Sequence, residues 1–164
     1  MIRPARATDA PAIAAIWNPV IRDTEITFNS AEKPPEEIAG MVAAKAAAGH
    51  GFFVADQGDA LLGFALYGQF RGGVGYARTM EHTIILTPDA RGRGLGARLL
   101  GVLEDHARAR GAHSIFAGVS SGNPPGRAFH ARMGYVEVAT LHGVGWKFGR
   151  LFDLHLMQKR LSDD

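Results

Sequence analysis

Thr83-Ile84-Ile85-Leu86-Thr87-Pro88-Asp89-Ala90-Arg91-Gly92-Arg93-Gly94-Leu95-Gly96-Ala97-Arg98-Leu99-Leu100 passes from an apolar, β-branched run through a glycine–arginine turn into a leucine-rich segment. The change of hydrophobic period across the turn predicts a strand followed by a helix. Glycines at 92, 94 and 96 let the chain turn sharply and approach a ligand closely, and the first amides of the helix carry the positive end of its dipole. The stretch therefore reads as a cradle for a pyrophosphate. Arg91, Arg93 and Arg98 can add charge to it, although arginines in an exposed first turn also serve solvation alone.

Outward from that turn, the chain resolves into alternating elements. Upstream, a short strand at Ile2 to Arg6 is followed by Thr8-Asp9-Ala10-Pro11, a helix start, with Ile13, Ile16, Trp17 and Val20 at helical spacing. Thr24 to Ser30 is a loop, and a second helix runs from Pro34-Pro35-Glu36-Glu37 to Gly49. Phe52 to Ala55 and Leu61 to Tyr67 form a hairpin around Asp56-Gln-Gly-Asp59. A polar segment, Gln69 to Arg78, precedes the strand Glu81 to Thr87. Downstream, the helix opened at Gly94 ends in Arg108, Arg110 and Gly111. A strand at His113 to Val119, a loop at Ser120 to Pro125, and a short helix closed by Gly134 come next. Strands at Tyr135 to Leu141 and Phe152 to Gln158 then flank a loop at His142 to Arg150. The order β-α-α-β-β-β-α-β-α-β-β predicts a mixed sheet with helices on both faces.

Composition narrows the function. At 164 residues, 46% hydrophobic and 21% charged, the chain fits one globular domain. A formal charge of +2 with dispersed basic residues gives no nucleic-acid surface. The absence of cysteine removes disulfides, thiolate metal sites and cysteine nucleophiles together. No apolar run approaches the roughly 20 residues of a membrane span, and Met1 to Arg6 lacks a signal-peptide core, so a soluble, cytoplasmic protein is expected.

Three phosphate-binding architectures use such a glycine turn. A nucleotide P-loop needs Lys followed by Ser or Thr after its last glycine, and Gly96 is followed by Ala97-Arg98. A dinucleotide fold needs an acidic residue near the end of the next strand, and no Asp or Glu lies between Asp105 and Glu137. The third is the acyl-coenzyme A pattern Gln/Arg-x-x-Gly-x-Gly/Ala, which Arg91, Gly94 and Gly96 match. With Glu81-His82-Thr83 before the loop, Asn123, Phe129-His130-Ala-Arg-Met-Gly-Tyr135, and Val144-Gly-Trp-Lys-Phe-Gly-Arg150 with Asp153, nearly the whole chain resembles the GNAT superfamily of N-acetyltransferases. More narrowly, it is similar to the phosphinothricin and methionine sulfoximine N-acetyltransferase group.

That resemblance implies an α/β (α+β) GNAT fold, with a mixed, mostly antiparallel seven-stranded sheet, about four helices on both faces and splayed central strands. It implies acetyl-CoA as cosubstrate with no metal, a small amino-acid-like acceptor and a homodimer. The backbone of Thr83 to Leu86, including Ile84 and Ile85, would pair with the pantetheine arm. Arg91, Gly92, Arg93, Gly94, Leu95 and Gly96 would hold the pyrophosphate, and Asn123 would bond the arm or simply cap a helix. An attacking amine must be neutral, so a base is needed. Glu81 takes that role by resemblance, directly or through a water, against the alternative of an ion pair with Arg78. His130 stands where many members carry a tyrosine acid and would assist the thiolate's departure. Strand alternation puts His82 on the face opposite Glu81. With no cysteine nucleophile, the amine would attack directly in a ternary complex.

The acceptor walls are expected in Gly72 to Thr79 and Gly143 to Arg150. Arg78 or Lys147 is the expected carboxylate partner, and Phe28, Trp17, Phe70 and Tyr76 are candidates for an apolar side. The chain reads Tyr76-Ala-Arg-Thr79 where related enzymes carry Tyr-Arg-x-Thr, and Leu151 replaces a common tryptophan. Both departures bear on the acceptor more than on the chemistry. A peptide or protein N-acetyltransferase and a non-catalytic acyl-CoA sensor are the alternatives on the same fold. Seven histidines without an i, i+4 pair give no zinc site, and Ser120 and Ser121 lack a nucleophile elbow.

Overall fold

Strand pairing follows the apolar runs. The computed structural model describes residues 1–163. Its elements are β1 (Ile2–Pro4), α1 (Ala10–Asp23), α2 (Pro35–Ala48), β2 (Phe52–Asp56), β3 (Leu61–Gln69), β4 (Thr79–Leu86), α3 (Leu95–Ala109), β5 (Ser114–Ser120), α4 (Pro124–Arg132), β6 (Val136–Lys147) and β7 (Arg150–Arg160). The seven strands form one sheet in the order β1-β2-β3-β4-β5-β7-β6. Only the β4–β5 pair is parallel. The expected mixed, mostly antiparallel seven-stranded sheet with four helices is what the chain forms.

Side-chain alternation sorts the core into two layers. Phe64 and Leu66 of β3 pack with Ile13, Trp17 and Ile21 of α1 and Ile38 of α2. Ala65 and Tyr67, the intervening residues, pack with Leu99, Leu100 and Leu103 of α3. Thus α1 and α2 cover one face and α3 the other. Leu99, Leu100 and Leu103 are fully buried, and truncating any of them to alanine costs about 2–5 kcal/mol.

The central strands part company halfway along. Pairing of β4 with β5 stops at His82↔Ala117, while β3 holds β4 to Leu86 and β7 holds β5 to Ser120. Main-chain direction in the open half follows from the flanking ladders. Phe70 N–H donates to Thr79 C=O and Thr87 N–H to Leu62 C=O, so odd-numbered β4 residues turn their polar groups to β3. Ile84 and Leu86 therefore turn theirs to the open side. On β5, Leu161 N–H donates to His113 C=O and Ser121 N–H to Asp153 C=O, which leaves Gly118 facing the same opening.

The expected loop from His142 to Arg150 is instead mostly strand. β6 continues to Lys147 and turns back through Phe148 (φ 52°) and Gly149 (φ 73°). Positive φ at both central residues matches the right-handed twist of a two-residue hairpin. Glycines 143 and 145 obscure this strand in the sequence, yet Gly145 is needed there because the Phe28 ring occupies the space of any Cβ. β4 also starts two residues earlier than expected, at Thr79.

Candidate active site

Glu81 lies on the α1–α2 face just before the strands separate, since Leu66, Gly68 and Glu81 share the side of the sheet on which Phe64 packs. Its cross-strand neighbours are Gly68 on β3 and Phe116 on β5. Gly118, two residues on, is equally bare, and a Cβ there would sit 3.1 Å from Glu81 Oε2. Two glycines thus floor a cleft of about 370 Å³ whose walls include Lys45, Leu66, Gln69 and Thr83. Burial pushes the Glu81 carboxyl above the ordinary carboxylate range, with no opposing influence from a cation or donor. That environment suits a proton acceptor working near neutrality.

The expected acceptor residues divide. Phe28 lies on this face, 6.0 Å from Phe152 and over Gly145. Phe70 stacks on Phe116 at 4.7 Å and is joined by Tyr76 at 6.4 Å, giving an aromatic wall beside Glu81. Trp17 is a core residue, 4.8 Å from Phe64. Thr79 pairs with Ser114 at the closed end of β4. Neither expected carboxylate partner faces Glu81. Arg78 Nε donates to Gly111 C=O at 3.0 Å, so the ion pair with Glu81 is not formed either. Lys147 is only 2% exposed, and its ammonium donates to the carbonyls of Thr24 and Thr27 at 2.6 and 2.7 Å. It pins the α1–α2 loop to the β6–β7 hairpin.

The opposite face carries His82 and His130, ring centroids 5.0 Å apart and stacked. Burial, helped by His130, pushes His82 down to about 3, so it is neutral. Burial also lowers the pKa of His130. Its Nδ1 lies 2.7 Å from Gly126 C=O, which only an N–H can satisfy, leaving Nε2 as a lone pair with no hydrogen-bond partner among the described residues. Behind them Tyr135 OH donates to Glu104 Oε2 and Lys159 Nζ to Glu104 Oε1, both at 2.8 Å. Sequence reading found His130 but not this support, whose members lie 31 and 55 residues from Glu104.

At the open end of β4 the glycine turn takes the expected form. Gly92 and Gly94 have φ of 76° and 77°, values only glycine adopts freely. Gly94 is the N-cap of α3, and Arg98 N–H makes the bond to Gly94 C=O at 3.2 Å. The amides before it have no intrahelical acceptor. Gly96 is small for a different reason: a Cβ would come within 3.2 Å of the Phe129 ring. Leu95 contributes only its amide, because its side chain is buried with Ala55 and Ala90. Arg93 is exposed, and Arg91 Nη2 reaches Leu86 C=O at 3.4 Å. Asn123 Oδ1 accepts from Gly126 N–H at 3.1 Å, capping α4. Ile85 packs into the α1–α2 core, while Ile84 and Leu86 pack toward α3. The residues present fit an acyl-coenzyme A: free amides at a helix start for the pyrophosphate, and unpaired strand groups for the arm. Among the described residues no group of three or more His, Asp or Glu is arranged to hold a metal ion.

Comparison with known proteins agrees with this geometry. The model of the acetyltransferase (GNAT) family matches residues 15–135. The L-amino acid N-acyltransferase MnaT of Escherichia coli is 35% identical over 162 residues, covering 99% of this chain and 94% of that protein. An L-methionine sulfoximine/L-methionine sulfone acetyltransferase of Pseudomonas paraeruginosa is 38% identical over 165 residues, covering 98% and 94%. Among solved structures, yncA of Salmonella typhimurium with its cofactor acetyl-CoA superimposes with a TM-score of 0.96 at 32% identity, covering 100% and 95% of the two chains. With the splayed β4–β5 pair, the glycine turn and the full-length similarity all in agreement, the chain belongs to the GNAT family of acetyltransferases.

Proposed function

We propose that this N-acetyltransferase uses acetyl-CoA to acetylate the α-amine of a small amino acid or analogue of the methionine sulfoximine, methionine sulfone or phosphinothricin type. The observation that carries the reading is the unpaired, partly desolvated Glu81 beside a glycine-floored cleft at the point where β4 and β5 separate. A volume of about 370 Å³ has room for a small amino acid.

Acetyl-CoA, when bound, supplies a thioester carbonyl open to attack by an amine. Ile84, Leu86 and Gly118 offer main-chain groups to its arm, and the amides at the start of α3 meet its pyrophosphate. Glu81 takes the proton of the incoming ammonium, directly or through one water, which frees the amine to attack within a ternary complex. Its burial raises its pKa and so makes it a stronger base. As the C–N bond forms the C–S bond breaks, and the coenzyme A thiolate leaves and takes its proton from water. His130, with its Nδ1–H held by Gly126 and its ring kept neutral by burial, carries only a lone pair at Nε2 and does not supply that proton. The exposed apolar tip of the β6–β7 hairpin, with Val144, Trp146, Phe148 and Leu151 each more than half exposed, is the surface through which two copies pair.

A thiol-release assay with acetyl-CoA and a panel of L-amino acids, methionine sulfone, methionine sulfoximine, phosphinothricin and a short peptide tests the reading. Release with the small acceptors and intersecting initial-rate lines are expected. Release with the peptide alone would assign the chain to peptide acetylation, and no release with any amine would make it a sensor.

A further inference from the structure

The chain has four lysines, and three are committed. Lys33 lies 3.9 Å from Glu37, Lys159 bonds Glu104, and Lys147 bonds two carbonyls. Lys45, in the last turn of α2, has no ion-pair or hydrogen-bond partner among the described residues. Its chain extends down onto the sheet, with Nζ 2.5 Å from the point a Gly68 Cβ would occupy. A side chain at Gly68 would push the ammonium aside. Gly68 and Glu81 are directly paired across β3 and β4, so their side-chain positions stand about 5 Å apart. The ammonium and the Glu81 carboxylate consequently border the same cleft, without closing on each other. Desolvation lowers the pKa of Lys45, and no carboxylate offsets it. The two cations that sequence reading selects for an acceptor carboxylate, Arg78 and Lys147, are directed elsewhere.

We propose that Lys45 anchors the α-carboxylate of the acceptor amino acid and thereby selects amino acids over simple amines. Building on the acceptor class proposed above, it adds the residue that recognises it. An α-amino acid carries its amine and carboxylate on one carbon, so a carboxylate on Lys45 turns the amine toward Glu81 across Gly68. The apolar side chain then lies toward Phe116 and Phe70. The step is binding only, and no bond is made or broken at Lys45.

Steady-state kinetics at saturating acetyl-CoA tests this, with methionine sulfone and the amine of the same side chain that lacks the carboxylate. Wild type should favour the amino acid. Lys45→Met should raise KM for methionine sulfone by about 10- to 100-fold, the loss expected for one charge-assisted contact. It should leave kcat/KM for the carboxylate-free amine and KM for acetyl-CoA unchanged, which also shows that the variant is folded. Lys45→Arg should restore part of the preference. A wild-type KM for methionine sulfone in Lys45→Met, or equal losses on both acceptors, would overturn the role of Lys45 while leaving the acceptor class intact. Wild-type enzyme that acetylates peptides but neither of these acceptors would overturn the acceptor class, and the anchor with it.

Discussion

Glu81 shows how much chemistry a strand residue draws from what its neighbours lack. Gly68 and Gly118 place no side chain over it, and no cation neutralises it. Glu81→Gln should lower kcat by about 10²–10⁴-fold, the usual worth of general base catalysis, and leave KM for acetyl-CoA unchanged. The wild-type kcat/KM profile should rise with pH through the raised Glu81 pKa, and the variant should lose that limb. The same shift affects stability. A folded-state pKa above the unfolded value gives a contribution fully present below the unfolded pKa and lost as pH rises through the folded one. Glu81→Gln should therefore melt above wild type near neutrality and match it in acid, as thermal unfolding at both pH values will show. Glu81, His130 and Asn123 were legible because each sits inside a motif. Lys45, Phe116 and Gly118 were not. Lys45 lies in an alanine-rich helix whose facing strand no local pattern reveals, and Phe116 and Gly118 acquire meaning only when β5 is set in register beside β4.

Elements explain the divided role of the glycine turn. β4 ends with main-chain groups facing the opening, and α3 begins within ten residues with unpaired amides, so one short segment presents both halves of the proposed cosubstrate site. Gly94 makes the junction possible by taking φ 77° as the helix cap. Gly94→Val should cost about 1–2 kcal/mol through left-handed strain on a β-branched residue and re-aim the amides behind it. A several-fold rise in KM for acetyl-CoA with kcat largely retained is expected from initial-rate measurements. The strand–turn–helix was legible because its period changes abruptly. The β6–β7 hairpin was not, because Gly143 and Gly145 imitate a loop, while the reason for Gly145, the Phe28 ring, comes from more than a hundred residues away.

At the scale of the whole molecule, the sheet is built from the order of elements that the apolar runs predict, and α1–α2 and α3–α4 divide its faces as alternation requires. What order alone does not contain is where β4 leaves β5, since that depends on β3 and β7 each holding its own neighbour beyond the last shared pair. The exposed aromatic tip of the hairpin belongs to this scale too. If two copies pair through it as proposed, wild type should sediment as a dimer and Trp146→Glu as a monomer, whereas a dimer unchanged by the substitution would remove the hairpin as the contact. The parting of the central strands has one more consequence. Open strand edges in most sheets lie at the rim, where they template unwanted association and must be blunted. Here the open edges of β4 and β5, at Ile84, Leu86 and Gly118, lie inside the sheet rather than at its rim. In the proposed binding mode the cosubstrate's arm would work as a removable eighth strand: its arrival would repair the lattice, and the stability it adds would grow with its concentration. The enzyme should be hardest to unfold when its acetyl donor is abundant, which ties its persistence to the supply of the compound it consumes.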